Sequence, residues 1–267
     1  MCGVAGIFLL SGALPSIETD KAVFAAMRNR GPDSHGKYDA RSSRGLGRLY
    51  HTRLSIVDID ERSNQPFEID GHAIAFNGEI YNYKSLRSDL RSRGVHFKTD
   101  SDTEVLIRGL MVEGCEFIKK LRGMWAFIYH VQASGQTFVS RDHTGQKPLY
   151  YRKEQGRLIL ASNFRAVAAL SQRQVEYDPQ TVVDFCVNGY KSLNKRDCTW
   201  YSDVREFPPG KIGSIVDATF SSMETFWEVS SLAERVGINE GLSESEVGEC
   251  IRESVSKCFF ADVPIGV

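Results

Sequence analysis

The chain has 267 residues, with 33 lysines and arginines against 34 aspartates and glutamates, a formal net charge of −1. That balance excludes a nucleic-acid binder working through bulk positive charge, and 42% AVILMFWYC with 25% charged residues excludes a mainly disordered chain. The longest apolar run, Val4 to Leu10, is too short to span a bilayer and has no Lys or Arg before it, so it reads neither as a membrane helix nor as a secretory signal. Six cysteines (Cys2, Cys115, Cys186, Cys198, Cys250, Cys258) make no C-x-x-C pair, which without an export signal points to reduced thiols in a cytoplasmic protein.

Taken in chain order, Cys2–Leu10 predicts a buried strand and Ile17–Asn29 a helix with Val23, Phe24 and Met27 on one face. Arg30-Gly31-Pro32-Asp33 stops that helix, because proline has no N–H to give and disfavours helix in the residue before it. Strands follow at Gly47–Ile56 and His72–Asn77, then a helix at Tyr83–Arg93 with Leu86 and Leu90 one turn apart. Ser101-Asp102-Thr103-Glu104 has the S-x-x-E form of a capping box and starts a helix running to Glu113. Four β-like runs come next: Met124–Val131, Thr137–Asp142, Pro148–Arg152 and Leu158–Ala161; their short connections favour antiparallel meanders. Helices are predicted near Asn163–Leu170 and Pro179–Asn188. The polar segment Lys191–Pro209, ending in Phe207-Pro208-Pro209-Gly210, reads as a seam between domains. Beyond it Ser243 and Glu246 repeat the capping-box pattern, and Val247, Cys250, Ile251, Ser254, Val255, Cys258 and Phe259 form one helical stripe. The stripe leads into Asp262–Val267, an expected strand, so the tail reads as the start of a second domain.

Met1-Cys2-Gly3 carries the first chemistry. A small residue after the initiator methionine favours its removal, which makes one residue own both a thiol and a free α-amine. Their ordinary pKa values, near ~8.5 and ~7.7–8.0, let a proton pass between them cheaply at neutral pH. This is the logic of a nucleophile that uses its own amine as base. On position alone a small buried hydrophobe at the start of a strand is the commoner reading of such a cysteine. Likewise Asn77-Gly78 alone is the usual signature of a type I′ hairpin turn, and Arg53 that of an exposed strand arginine. Asp102, in the first turn of a helix, complements the helix dipole with or without a ligand. His51 is read as structural, and the histidines show no zinc-ligand spacing.

The ordered set is more specific than its parts. Met1-Cys2-Gly3 is followed by Arg30-Gly31-Pro32-Asp33, His51-Thr52-Arg53-Leu54-Ser55-Ile56, Asn77-Gly78-Glu79-Ile80-Tyr81-Asn82 and Ser101-Asp102-Thr103-Glu104. Then come Leu121-Arg122-Gly123-Met124-Trp125-Ala126-Phe127, Arg141-Asp142 and Lys147-Pro148-Leu149-Tyr150-Tyr151. This series resembles the glutaminase half of the glutamine-dependent asparagine synthetases, within the class II (amino-terminal cysteine) glutamine amidotransferases. Phe207-Pro208-Pro209-Gly210 and Asp262–Val267 resemble the family's entry into its synthetase domain. The resemblance implies an α+β fold: a four-layer α/β/β/α sandwich of the amino-terminal-nucleophile hydrolase type, with the beginning of an α/β synthetase domain. It divides the chain into a glutaminase domain, residues 2–208, and the incomplete start of a synthetase domain, residues 209–267. It implies Cys2 as nucleophile, Asn77 and Gly78 as oxyanion donors, and Arg53, Leu54, Ile56, Val57, Glu79 and Asp102 as substrate-binding residues.

The implied function is hydrolysis of L-glutamine to glutamate and ammonia through a Cys2 thioester, feeding ATP-dependent asparagine synthesis from aspartate. Rival readings are amidation of another carboxylate, such as a sugar acid in polysaccharide synthesis, and a non-catalytic glutamine-binding module. No cofactor or metal is expected on this chain; ATP and magnesium are implied for the synthetase domain, whose S-G-G-x-D-S loop does not occur in these residues. The expected partners are L-glutamine and a synthetase domain, in the same longer chain or as a separate subunit; a homodimer is a further open expectation. Neither nucleic acid nor membrane is expected as a partner.

Overall fold

The computed structural model describes residues 1–42, 45–189, 199–230, 241, 243–259 and 261–264. Its frame is two six-stranded sheets in which every pair of strands is antiparallel. The first sheet runs β10 (Val204–Glu206), β8 (Tyr150–Glu154), β9 (Arg157–Ala161), β1 (Gly3–Leu9), β3 (Gly45–Arg53), β2 (Ser34–Ser42). The second runs β12 (Thr219–Thr225), β11 (Lys211–Val216), β7 (Gln136–Arg141), β6 (Gly123–Val131), β5 (His72–Ile80), β4 (Phe67–Ile69).

Strand β1 is buried on both faces, so its run of apolar residues shows no alternation. Ala5, Ile7 and Leu9 pack against Val23 and Met27 of α1 (Ile17–Met27) and Ala166, Val167 and Leu170 of α4 (Phe164–Leu170). The opposite face, Val4 and Phe8, packs against Ala75, Ala126 and Ile128 of the second sheet. On the far side of that sheet, Ile74, Phe76 and Ile80 meet Leu86 and Leu90 of α2 (Tyr83–Ser92) and Leu106 and Leu110 of α3 (Asp102–Glu113). These three apolar layers separate four layers of structure, the α/β/β/α sandwich implied by the resemblance.

Ahead of the tail the predicted elements occur with small shifts at their ends, and among the described residues the remaining α-helices are α5 (Pro179–Asn188) and α6 (Glu244–Lys257). Three differences have physical causes. First, Ser101 caps α3 by accepting from Glu104 N, but Glu104 does not reciprocate; its carboxylate instead accepts from the backbone N–H groups of Lys98 and Thr99, fixing the turn before the helix. The full reciprocal box forms at Ser243 and Glu246. Second, the four β runs after Gly123 divide between the sheets, two in each, because the chain crosses over between β7 and β8. Third, Phe207-Pro208-Pro209-Gly210 is also a crossover within the sandwich. Phe207 is fully buried between the sheets, Gly210 N donates to Asp142 O, and β11 then pairs with β7. The expected division at 208/209 therefore falls ahead of two strands that complete the second sheet. Gly210 sits at φ +64°, and a Cβ there would lie 2.3 Å from Trp227 O, so only glycine fits this corner.

Of the expected tail, Lys191–Cys198 and Ile265–Val267 lie outside the described residues, and Asp262 and Val263 form a bend where a strand is expected. The stripe on α6 exists, with Val247, Ile251, Val255 and the following Phe259 between 42% and 58% exposed.

Candidate active site

The pleat of the central strands decides what the two sheets present to each other. Leu49 belongs to the layer between the sheets, so the period of two places His51 and Arg53 on the same face of β3. Val4 likewise extends that face back to Cys2, at the mouth of β1. From the second sheet, Ala75 faces the same layer, so Asn77 and Glu79 follow it. Cys2, Arg53, Asn77 and Glu79 therefore converge from two sheets on one cleft of about 540 Å³, open mouth included. Leu54, Ile56, Val57, Gly78 and Asp102 complete the convergence: all nine residues singled out in the sequence line this one pocket.

Asn77-Gly78 is not a hairpin turn. It lies in the middle of β5, with Asn77 opposite Ala126 and Gly78 opposite Trp125. Asn77 is 1% exposed, and neither its Nδ2 nor its Oδ1 finds a hydrogen-bond partner among the described residues. Burying such an amide unpaired costs roughly 1–3 kcal/mol, a cost tolerated where a ligand supplies the partner. Along the same edge of β5, Phe76 N donates to Gln65 Oε1 (2.7 Å) and Ile80 N donates to Asp102 Oδ2 (3.0 Å). The two-residue period aims Gly78 N–H the same way, between these two, into the pocket. A Cβ on Gly78 would stand 2.2 Å from Met124 O, so no side chain can occupy this position without displacing β6.

Cys2 Sγ accepts from Leu54 N at 3.4 Å. Its carbonyl accepts from Arg30 Nε at 3.0 Å, and Asp33 Oδ2 accepts from Ser55 N at 2.8 Å, so the Arg30–Asp33 segment grips the cysteine and the loop after β3 together. Burial pushes the Cys2 thiol up, opposed by the Leu54 hydrogen bond and the nearby terminal amine. Burial also pulls the terminal amine of Met1 down, with Lys147 and Arg30 acting in the same direction. His51 is no base: burial drives its pKa down to about 3, and its Nε2 donates to Phe76 O (3.0 Å) as a bridge between the sheets.

Arg53 makes four hydrogen bonds, all through its two terminal nitrogens: to Asp60 O, Asn64 Oδ1, Val57 O and Asp58 O. The guanidinium thus shapes the loop of residues 57–64 that walls the pocket. Opposite it, burial and the charge of Glu79 raise the Asp102 carboxyl to about 6, and burial raises Glu79 as well. Lys147 joins the pocket although no role was read for it in the sequence. Its backbone is fixed by Asp142 Oδ2, which accepts from Lys147 N, and by Arg141 Nε, which donates to Lys147 O. Burial lowers its ammonium pKa, partly countered by Glu79 and Cys2. The sequence carries a signal for it, since Lys147 opens Lys147-Pro148-Leu149-Tyr150-Tyr151, but the direction of its side chain depends on the crossover after β7. Among the described residues no group of three His, Cys, Asp or Glu is placed to hold a metal ion, and no helix is long and apolar enough to cross a membrane.

Comparison with known proteins bears on this geometry. A family model described as a glutamine amidotransferase domain matches residues 1–227. The chain belongs to that family. The end of the match coincides with the completion of the amidotransferase sandwich, two residues after β12. Asparagine synthetase [glutamine-hydrolyzing] 1 of Bacillus subtilis strain 168 is 32% identical over 271 residues, covering 100% of this chain and 41% of that protein. Asparagine synthetase B [glutamine-hydrolyzing] of Escherichia coli K12 is 28% identical, covering 100% of this chain and 42% of its own length. The amidotransferase chain thus spans about two fifths of these relatives. A solved structure of glutamine phosphoribosylpyrophosphate amidotransferase from B. subtilis, complexed with ADP and GMP, superposes with a TM-score of 0.59 at 22% identity, over 84% of this chain and 49% of that one. It shows the shared amidotransferase fold.

Proposed function

We propose that this chain hydrolyses L-glutamine to glutamate and ammonia through a thioester on Cys2, and that the ammonia serves the ATP-dependent conversion of aspartate to asparagine. The observation that carries the reading is the buried, unpartnered Asn77 amide beside the Gly78 N–H in the pocket that Cys2 enters. Met1 lines the pocket, so its removal frees space and makes the α-amine that of Cys2. That amine takes the thiol proton as Sγ attacks the side-chain carbonyl of glutamine. Asn77 Nδ2 and Gly78 N–H hold the oxyanion, the intermediate collapses, and the protonated amine gives its proton to the departing ammonia. Water then cleaves the thioester to glutamate, restoring the thiol.

Glu79 and Asp102 supply the negative charge for the substrate's α-ammonium. Arg53 supplies positive charge for its α-carboxylate, and Leu54, Ile56 and Val57 form the wall that Arg53 holds in place. The amidotransferase domain extends through Trp227, and residues 228–267 begin a further domain. The exposed stripe on α6 and the greater length of the relatives support that division. ATP and magnesium belong to that further domain in this reading. The residues present do not fit a nucleotide: the pocket carries Glu79 and Asp102, and the sequence has no glycine-rich phosphate loop.

A diazoketone analogue of glutamine tests the assignment covalently. Peptide mapping is expected to find one adduct per chain, on Cys2, suppressed by excess glutamine. Equal labelling of the exposed Cys186, Cys250 and Cys258, with Cys2 unmodified, contradicts it.

The raised Asp102 pKa predicts a pH dependence of binding. Asp102 is neutral in the free protein below about 6, so KM for glutamine rises as pH falls through that value, by up to tenfold per unit. In Asp102→Asn the KM is high throughout and this pH dependence is lost. Linkage gives the stability counterpart. A carboxyl raised from ~3.9 contributes stability that is full below that value and is lost as pH rises through about 6. Asp102→Asn removes that loss, measurable as a flatter Tm against pH over this window.

A further inference from the structure

The wall of the pocket is held from a distant part of the chain. Asp262, 204 residues after Asp58, accepts from Asp58 N through Oδ2 at 2.8 Å, and its own N–H donates to Ile56 O at 2.8 Å. These two bonds bracket Val57, and both Ile56 and Val57 line the pocket. Asp58 is a junction. It sits at φ +46°, a left-handed conformation that a residue with a side chain adopts at a cost, so neighbouring contacts must hold it there. Its carbonyl accepts from Arg53, and its Oδ2 accepts from Asp100 N at 2.6 Å, next to the segment that carries Asp102. Nearby, burial raises the Tyr83 phenol, and the charges of Asp102 and Asp262 act in the same direction.

We infer that Asp262 is a positioning residue for the glutamine pocket: it staples residues 56–58 in the conformation that keeps Arg53 and the Ile56–Val57 wall in register with Asp102. This rests on the glutaminase reading above and deepens it. The segment bearing Asp262 then sets glutamine affinity without touching the reacting atoms. A carboxylate accepting one backbone N–H is replaced by asparagine with little loss, because the amide oxygen accepts the same bond, whereas alanine leaves Asp58 N–H without it.

The test measures steady-state glutamate release by the full chain and its Asp262→Ala and Asp262→Asn variants, together with amide hydrogen exchange at Asp58. Asp262→Ala is expected to raise KM for glutamine by about three- to tenfold with kcat within about twofold, the size of one hydrogen bond. Asp262→Asn is expected to stay near the parent, and exchange at Asp58 N–H to quicken in the alanine variant alone. An unchanged KM in Asp262→Ala, or equal impairment in both variants, overturns the inference. If the parent chain releases no glutamate, the glutaminase reading fails instead, and the exchange at Asp58 decides the staple by itself: unchanged protection in Asp262→Ala overturns it.

Discussion

Replacing Cys2 by alanine is expected to abolish glutamate release while leaving glutamine bound. No other described thiol can substitute: among the described residues Cys2 is the cysteine that lines the pocket, Cys115 is half-buried elsewhere, and Cys186, Cys250 and Cys258 are exposed. Nor can His51 activate water in its place, because its one proton is committed to Phe76 O and burial keeps it neutral. Loss of a nucleophile of this kind costs on the order of 10⁶ in kcat, so the expected reading is the assay background. Calorimetric titration of the variant with glutamine is expected to show one site, since Glu79, Asp102 and the loop held by Arg53 are untouched. A variant retaining a tenth of the parent rate would mean that chemistry occurs elsewhere.

Asn77→Ala is expected to lower kcat by about 10²–10³-fold with a much smaller change in KM, the cost of one oxyanion donor, ~3–4 kcal/mol. The same substitution is expected not to destabilise the fold, because the amide it removes has no hydrogen-bond partner among the described residues to lose. A Tm at or above that of the parent, alongside the fall in kcat, separates this residue from an ordinary buried asparagine. For such a residue, alanine strips hydrogen bonds from the core and lowers Tm. Unaltered kcat would remove Asn77 from the oxyanion hole.

The parts of the fold readable in the sequence are those whose cause is local. Strand β1 is legible because Val4–Leu9 is apolar on both faces, and α3 and α6 because Ser101 and Ser243 announce their first turns. Strand β2 escaped the reading. Its Lys37 and Asp39 are spent on ion pairs with Asp20 and Arg48 across the sheet edge, so it carries charge where a strand pattern calls for apolar residues. Strand β11 escaped for another reason. Only pairing with β7, some seventy residues earlier, buries Ile212 beneath the helices and Ile215 between the sheets, and nothing local announces that partner.

The candidate site divides in the same way. The nine residues singled out came from motifs, and the structure brings all nine to one pocket. The surroundings of those residues were not legible. Asn77-Gly78, by its own chemistry a turn signal, is held straight by β6, since Met124 and Trp125 leave no room for anything but glycine at position 78. Arg53, taken alone, reads as an exposed strand arginine, whereas it is buried and its terminal nitrogens are occupied by four acceptors of the loop that follows it. Lys147 enters the cleft only because Asp142 gathers the N–H groups of Trp125, Thr144, Gln146 and Lys147 onto one carboxylate and turns the chain between the sheets.

The most direct measurement is the stoichiometry of glutamate and ammonia released from L-glutamine by the purified chain, after mass spectrometry has established Cys2 as its first residue. The pocket geometry predicts equimolar products at a rate that saturates with glutamine and disappears in Cys2→Ala. Absence of both products from a chain with a free Cys2 terminus, folded and able to bind glutamine, would contradict it.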